Sequence, residues 1–291
     1  MIGRLGFNTA CLHDRPLAEC LELGLDMGLR GVELLAFADY RNAMGSVAGM
    51  FFDRMTGAQK TELIALIEPF DNISIHAPFW DMQPFSPNPG LRDETRRQLR
   101  ETLRVAGEIG ASTVTTHIIP KTGYQWDEYR DEVLDCYRDL GDVAGEAGVT
   151  VTIESGFPLA LEEFASLIHD IGHEAVGGNV DVGHFREVMS VEEKTAPNAA
   201  QIYNNMLAAH ISSLGAKLYH MHIHDVLAAD FSYHHTPGDG ILDYPRLLAQ
   251  LRAMDYPGLM VMELDEPDGL TQLRRGTEFL VEAIARAGAN G

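Results

Sequence analysis

The feature that most constrains this chain is an alternation of short β-rich runs with amphipathic helical stretches, kept up from end to end. The strand candidates are "RLGFNTA" (4–10), "GVELLAF" (31–37), "NISIHAP" (72–78) and "STVTTHII" (112–119). They continue with "VTVTIES" (149–155), "VGGNVDVGH" (176–184), "LYHMHIHDV" (218–226) and "GLMVMELD" (258–265). Helical patterning fills the intervals, among them 91–109, 124–147, 195–214 and 271–288. Gly28, Gly110, Gly148 and Gly172 each stand just before the next strand, where a left-handed residue ends a helix. Eight such units in 291 residues predict a (β/α)8 TIM barrel of class α/β, formed as a single domain over 1–291. No linker, repeat or low-complexity segment interrupts the pattern. The weakest stretch is 38–55, a long Gly/Met/Phe loop whose apolar content suits a substrate lid or a partner surface.

In a barrel of this kind chemistry gathers at the C-terminal ends of the strands. Those ends carry His76, His117, Glu154, Asp181 with His184, His222 with His224, and Glu263. Six consecutive ends thus offer metal-ligand or acid/base types. In "LYHMHIHDV", His220, His222 and His224 alternate, so all three point to one face. Converging carboxylates repel one another in a low-dielectric site, and a divalent cation is the usual resolution. Carboxylate-plus-imidazole ligation suits Mn²⁺, Co²⁺, Zn²⁺, Fe²⁺ or Mg²⁺, with no thiolate offered. Glu154, Asp181, His222 and Glu263, from four successive strands, make the best set for one ion. His76, His117 and His184 are left as substrate contacts or as ligands of a second ion. His224 is expected at the rim, and His220 deeper as a structural histidine.

Composition narrows the function classes. There are 22 basic and 43 acidic residues, a formal net charge of −21, and no Lys/Arg cluster that could form a phosphate-binding groove. The nearest, "LRDETRRQLRETLR", interleaves its acids at helical spacing and reads as an ion-paired helix face. No nucleic-acid partner is expected. No apolar run is long enough to span a membrane and no secretory signal opens the chain, so neither a membrane partner nor export is expected. Cys11, Cys20 and Cys136 have no framework spacing, which fits a cytoplasmic protein and three small buried hydrophobes. No Gly-rich phosphate cradle is present, and no organic cofactor is expected. Lys121 and Arg186 follow strand ends and could meet an anionic group or serve as solvated loop charges. A homodimer is compatible with the sequence.

The segments "SIHAPF", "TVTTHI", "TIES", "NVDVGH", "HIHD" and "HHTPGDGILDYPRLL", in this order, resemble the xylose isomerase-like TIM-barrel superfamily. That group joins sugar isomerases and epimerases with endonuclease IV. The resemblance implies that Glu154, Asp181, His222 and Glu263 hold one metal, as in the ketose 3-epimerases. It also implies that Glu154 and Glu263 are catalytic, moving a proton on opposite sides of a carbonyl-bearing carbon. His184 corresponds to a substrate contact in epimerases and a metal ligand in endonuclease IV. His76 and His117 match zinc ligands of the endonuclease, and His234 matches a ligand of its third zinc. The aspartate that should stand two residues before His234 is Ser232 here, and Asp230 could replace it only if the loop shifts. Together with His224, these histidines are the expected substrate-binding residues.

The function so implied is a metal-dependent isomerase or epimerase of a small sugar or keto-sugar. The alternatives are a lyase or dehydratase acting on a keto-sugar or inosose in the same site, a less favoured apurinic endonuclease, and a non-enzymatic binding module. A polyanionic duplex would meet long-range repulsion from a surface of this charge. We therefore expect no incision of an abasic DNA duplex at physiological salt. Incision at substoichiometric enzyme in a gel assay would restore the endonuclease reading.

Overall fold

The computed structural model describes residues 1–38, 40–156, 158 and 160–289. Its strands are β1 (Leu5–Asn8), β2 (Gly31–Leu35), β3 (Asn72–His76), β4 (Thr113–Thr116), β5 (Thr150–Glu154), β6 (Val176–Asp181), β7 (Leu218–Ile223) and β8 (Leu259–Met262). All pair in parallel and in chain order, and β1 closes the barrel by pairing with β8, Leu5 opposite Met260. The helices are α1 (Leu17–Asp26), α2 (Gly57–Ile67), α3 (Pro89–Glu108), α4 (Arg130–Ala147), α5 (Leu161–Ile171), α6 (Val191–Thr195), α7 (Ala199–Leu214), α8 (Tyr244–Ala253) and α9 (Gly269–Ala289). Each of the eight expected runs contains one strand, so the predicted (β/α)8 TIM barrel is the observed fold.

Strand alternation sorts the residues into two populations. Val32, Leu34, Ile75, Val114, Val151, Ile153, Val180 and Met221 are buried with helix residues such as Leu63, Leu103, Leu140, Leu167 and Leu207 in one apolar core. Burying each such side chain contributes about 1.5–3 kcal/mol, and this layer holds the helices to the barrel. The opposite parity is polar. Asn8, Glu33, Ser74, Thr115, Thr152, Asn179 and His220 are all fully buried. Several are linked across the lumen: Thr115 Oγ1 lies 3.3 Å from Thr152 Oγ1, and Asn179 Nδ2 lies 3.5 Å from Thr115 Oγ1. A barrel lumen is usually filled by branched apolar residues. Here it is a buried hydrogen-bonded stem beneath the strand ends.

Local chemistry sets the helix boundaries. Gly28, Gly110, Gly148 and Gly172 all take positive φ between 66° and 82°, as expected of helix-ending glycines. The stretch expected to be helical from 195 to 214 is helical only from Ala199, as α7, after the short α6 ends at Thr195. Pro197 biases Ala196 to extended backbone (φ −67°, ψ 145°), which stops α6. Likewise a short 3-10 turn, Trp126–Glu128, precedes α4, with a capping box between Gln125 and Glu128. The Arg-rich face of α3 is ion-paired: Arg97 meets Glu94 and Asp53 at 2.7 Å, and Arg96 meets Glu132 at 2.8 Å. Cys11, Cys20 and Cys136 are free and buried, with burial pushing the Cys11 and Cys20 thiols up to about 12. Among the described residues no helix is long and apolar enough to cross a membrane.

The 38–55 loop folds back over the strand ends. Leu35 bridges Gly49 and Arg41 bridges Ser46, while Asn42 Nδ2 donates to Asp265 Oδ1 at 3.0 Å just beyond β8. Asp39 lies outside the described residues.

Two glycines separate two kinds of constraint. A Cβ on Gly148 would meet open space, so Gly148→Ala strains only the backbone (φ 74°) and should cost about 1 kcal/mol. A Cβ on Gly6 would lie 2.8 Å from the carbonyl carbon of its strand partner Gly31, which cannot move without breaking the β1–β2 ladder. Gly6→Ala should cost about 3 kcal/mol. Denaturant unfolding of the two variants measures the difference, and equal midpoints would contradict it.

Candidate metal centre

Four side chains meet at the C-terminal mouth because four strands end there. Glu154 is the last residue of β5, Asp181 the last of β6, His222 the penultimate residue of β7, and Glu263 follows β8. One ligand atom from each lies within 4.8 Å of all the others. His222 Nδ1 is 2.8 Å from Glu263 Oε2, 3.2 Å from Glu154 Oε2 and 3.9 Å from Asp181 Oδ2. Yet His222 Nδ1, Glu154 Oε2 and Asp181 Oδ2 are buried and none has a hydrogen-bond partner. Burial works against charge on Glu154, but neighbouring His117 and His222 hold its carboxyl well below the usual range. Asp181 and Glu263 are also lowered against burial, the first by His184 and His224, the second by His222. Burial would lower the His222 imidazole too, but Glu33, Glu154 and Glu263 raise it well above its ordinary value.

This donor set fits a divalent cation. At an effective dielectric of about 20, two carboxylates roughly 4 Å apart repel by about 4 kcal/mol. Within this set of four, three carboxylates face one imidazole, so the set stays negative even when that ring is protonated. One divalent ion would neutralise the excess and satisfy the orphaned atoms.

The other expected histidines form two flanks. On one side His76 Nε2 and His117 Nε2 lie 3.3 Å apart, and 3.7 and 3.5 Å from Glu154 Oε2. His76 Nδ1 is 2.9 Å from the Ala77 carbonyl, which turns Nε2 toward the site. On the other side His224 Nε2 and His234 Nε2 lie 3.4 and 3.8 Å from different oxygens of Asp181. His184 bridges the two, with Nδ1 at 3.6 Å from Glu154 and Nε2 at 3.8 Å from Asp181. His224 does not sit at the rim. It is fully buried, stacked under Tyr233 and edge-on to His234, because the chain folds back after β7 and pairs Asp225 with His235. Asp230 accepts from the backbone and hydroxyl of Ser232 at 2.9 and 2.7 Å, so neither residue adds a ligand beside His234. Lys121 pairs with Glu132 at 2.9 Å over the Tyr124 ring, and Arg186 lies 3.9 Å from Glu187.

One member is not evident from the strand ends: Glu33, in the middle of β2 and fully buried. Its Oε1 lies 3.0 Å from His222 Nε2, and its Oε2 lies 3.1 Å from His220 Nε2. The available signal is a carboxylate at inward parity inside the apolar run "GVELLAF". His220 is the deeper residue expected, held by this carboxylate.

Above the cluster opens a cavity of about 320 Å³. His76, His234 and Glu263 reach it from below, and Phe37, Tyr40, Phe79 and Trp80 wall one side. Tyr40 and Trp80 stack at 5.9 Å. Glu263 is the most exposed of the four clustered residues, at 22% of its side chain. No Lys or Arg lines the cavity among the described residues.

Comparison with known proteins agrees with this architecture. An uncharacterized protein of Methanocaldococcus jannaschii is 25% identical over 203 residues, covering 66% of this chain and 64% of that protein, so the match spans less than two thirds of the relative. A crystal structure of a D-tagatose 3-epimerase-like protein superposes with TM-score 0.74 at 19% identity, covering 99% of both chains. A xylose isomerase-like TIM barrel protein from Mycobacterium smegmatis, in complex with magnesium, superposes with TM-score 0.70 at 14% identity over 98% of this chain and 97% of that one. These likenesses are of fold. A family model described as xylose isomerase-like TIM barrel matches residues 21–283, and the chain belongs to that family.

Proposed function

We propose that this protein is a divalent-metal-dependent isomerase or epimerase of a small, uncharged sugar or keto-sugar. The observation that carries the reading is the convergence of Glu154, Asp181, His222 and Glu263, with buried ligand atoms left unpartnered, beside a 320 Å³ cavity that Glu263 lines. A cavity of that size suits a monosaccharide-sized ligand. With no cationic side chain in its described lining, a phosphate or carboxylate on the ligand would go unmatched. The fold likeness to a D-tagatose 3-epimerase-like protein and to a magnesium complex supports the same reading.

Glu154, Asp181, His222 and Glu263 would hold the ion. Bound there, it would polarise a substrate carbonyl and acidify the neighbouring C–H. The chain's own groups do the rest. Glu263 reaches the cavity wall and has a carboxylate held in its ionised form, the state a general base requires. Glu154 lies deeper and would return the proton as the second member of the pair. His76, His117, His184, His224 and His234 surround the two glutamates and would orient substrate hydroxyls, His76 and His234 directly from the cavity wall. Phe37, Tyr40, Phe79 and Trp80 would cover the apolar face of the sugar and exclude water.

The glutamate pair gives the test. Gln at 154 or 263 still offers an oxygen to a metal but cannot accept a proton. At least one of Glu154→Gln and Glu263→Gln should keep bound metal, by elemental analysis, while turnover falls by about three powers of ten. The assay is a panel of ketoses and keto-sugars in heavy water, in which the wild-type enzyme should place deuterium at the carbon next to the carbonyl. Full activity in both variants would overturn the acid/base assignment.

A further inference from the structure

We propose that Glu33 is the positioning residue of this centre: its carboxylate fixes the hydrogen of His222 on Nε2 and so presents the Nδ1 lone pair to the cation. The inference rests on the metal-dependent reading above and adds a residue to it.

Glu33 has two neighbours on each oxygen. Oε1 accepts from Asn8 Nδ2 at 3.0 Å and lies 3.0 Å from His222 Nε2. Oε2 accepts from Ser74 Oγ at 3.1 Å and lies 3.1 Å from His220 Nε2. These partners come from β1, β3 and β7, so three strands fix the carboxylate in place. A carboxylate oxygen can only accept, and therefore the imidazole nitrogen facing it carries the hydrogen. A neutral imidazole with hydrogen on Nε2 has its free lone pair on Nδ1. Nδ1 stands 2.8 Å from Glu263 and 3.2 Å from Glu154, so without an ion it carries a hydrogen as well; a cation bound there would displace that hydrogen, while the one on Nε2 stays with Glu33. Asn179 Nδ2 also lies 3.2 Å from His222 Nε2, but a donor gains no bond from a protonated nitrogen, so the Glu33 carboxylate is the partner that sets this hydrogen.

A purely structural role accounts poorly for this charge. A fully buried ionic cluster replaced by apolar residues of similar volume is often as stable or more so. Val or Leu at inward parity would fill the lumen as in other barrels. What an apolar residue cannot do is set which nitrogen of His222 faces the cavity. Carboxylate partners of ligating histidines do this, and their loss typically weakens metal binding 10- to 100-fold. The same three residues, Glu33, His220 and His222, also have the composition of a metal site. Against that use, Asn8 and Ser74 already donate to both oxygens of Glu33.

The experiment titrates Mn²⁺ alone into the metal-stripped full chain by calorimetry, comparing wild type with Glu33→Gln. We expect Glu33→Gln to bind about 10- to 100-fold more weakly, while its metal-stripped form melts within a few degrees of wild type. A lower melting temperature with unchanged Mn²⁺ affinity would make Glu33 merely structural and overturn the proposal. Should Glu33→Gln fail to fold, the wild-type chain decides. With ¹⁵N-histidine and Zn²⁺, the resonances missing in His222→Gln should show a metal-bound Nδ1 and a protonated Nε2. The reverse pattern would overturn the proposal, as would a second ion per wild-type chain that Glu33→Gln loses. If the wild-type chain binds no ion, the proposed function itself falls, an outcome distinct from equal binding by both proteins.

Discussion

Placing three carboxylates and an imidazole within 4.8 Å of one another, mostly out of water, is the constraint around which the rest of this structure is organised. Such a cluster is costly unless something offsets its charge. Apart from Glu33 behind His222, histidines stand beside these carboxylates: His76 and His117 beside Glu154, His224 and His234 beside Asp181, His184 between them. The electrostatics push these rings apart. His117 and His224 are lowered, chiefly by burial, to about 4 and about 3, whereas Asp181 and other acids outweigh burial at His234 and raise it to about 9.

The barrel makes that concentration of charge affordable. Its apolar layer lies outside the strands, where Val, Ile and Leu pack under the helices and contribute most of the folding free energy. The lumen can therefore be given over to polar residues without emptying the core. Glu33, fully buried and contacted from β1, β3 and β7, connects this lumen to the mouth through His222. The 38–55 loop completes the enclosure, tying Asn42 to Asp265 and laying Tyr40 against Trp80 over the cavity.

Much of this is legible in the sequence because two periodicities and one cap signal are local. Strand parity places His220, His222 and His224 on one face without knowledge of the fold, and the helix-ending glycines mark where strands resume. The four clustered residues follow once strand ends are assumed to converge. What stays hidden depends on contacts between distant segments. Glu33 looks like an ordinary polar residue in an apolar run, since its partners are at positions 8, 74, 220 and 222. The depth of His224 is set by Tyr233 and by the Asp225–His235 bridge, a fold-back that spacing does not reveal. The aromatic wall is equally non-local, since Phe37 and Tyr40 follow β2 while Phe79 and Trp80 follow β3.

The claim on which the account turns is that Glu154, Asp181, His222 and Glu263 hold a single divalent ion. Elemental analysis of wild type and His222→Ala, each loaded with Mn²⁺ and then dialysed exhaustively against metal-free buffer, tests it most directly. Removing the one imidazole leaves three carboxylates with no neutral partner and a gap at the nitrogen position. The account predicts about one ion per wild-type chain and, from loss of one of about four ligands, a sharp drop in His222→Ala. Equal metal content in the two proteins, or none in either, would contradict it.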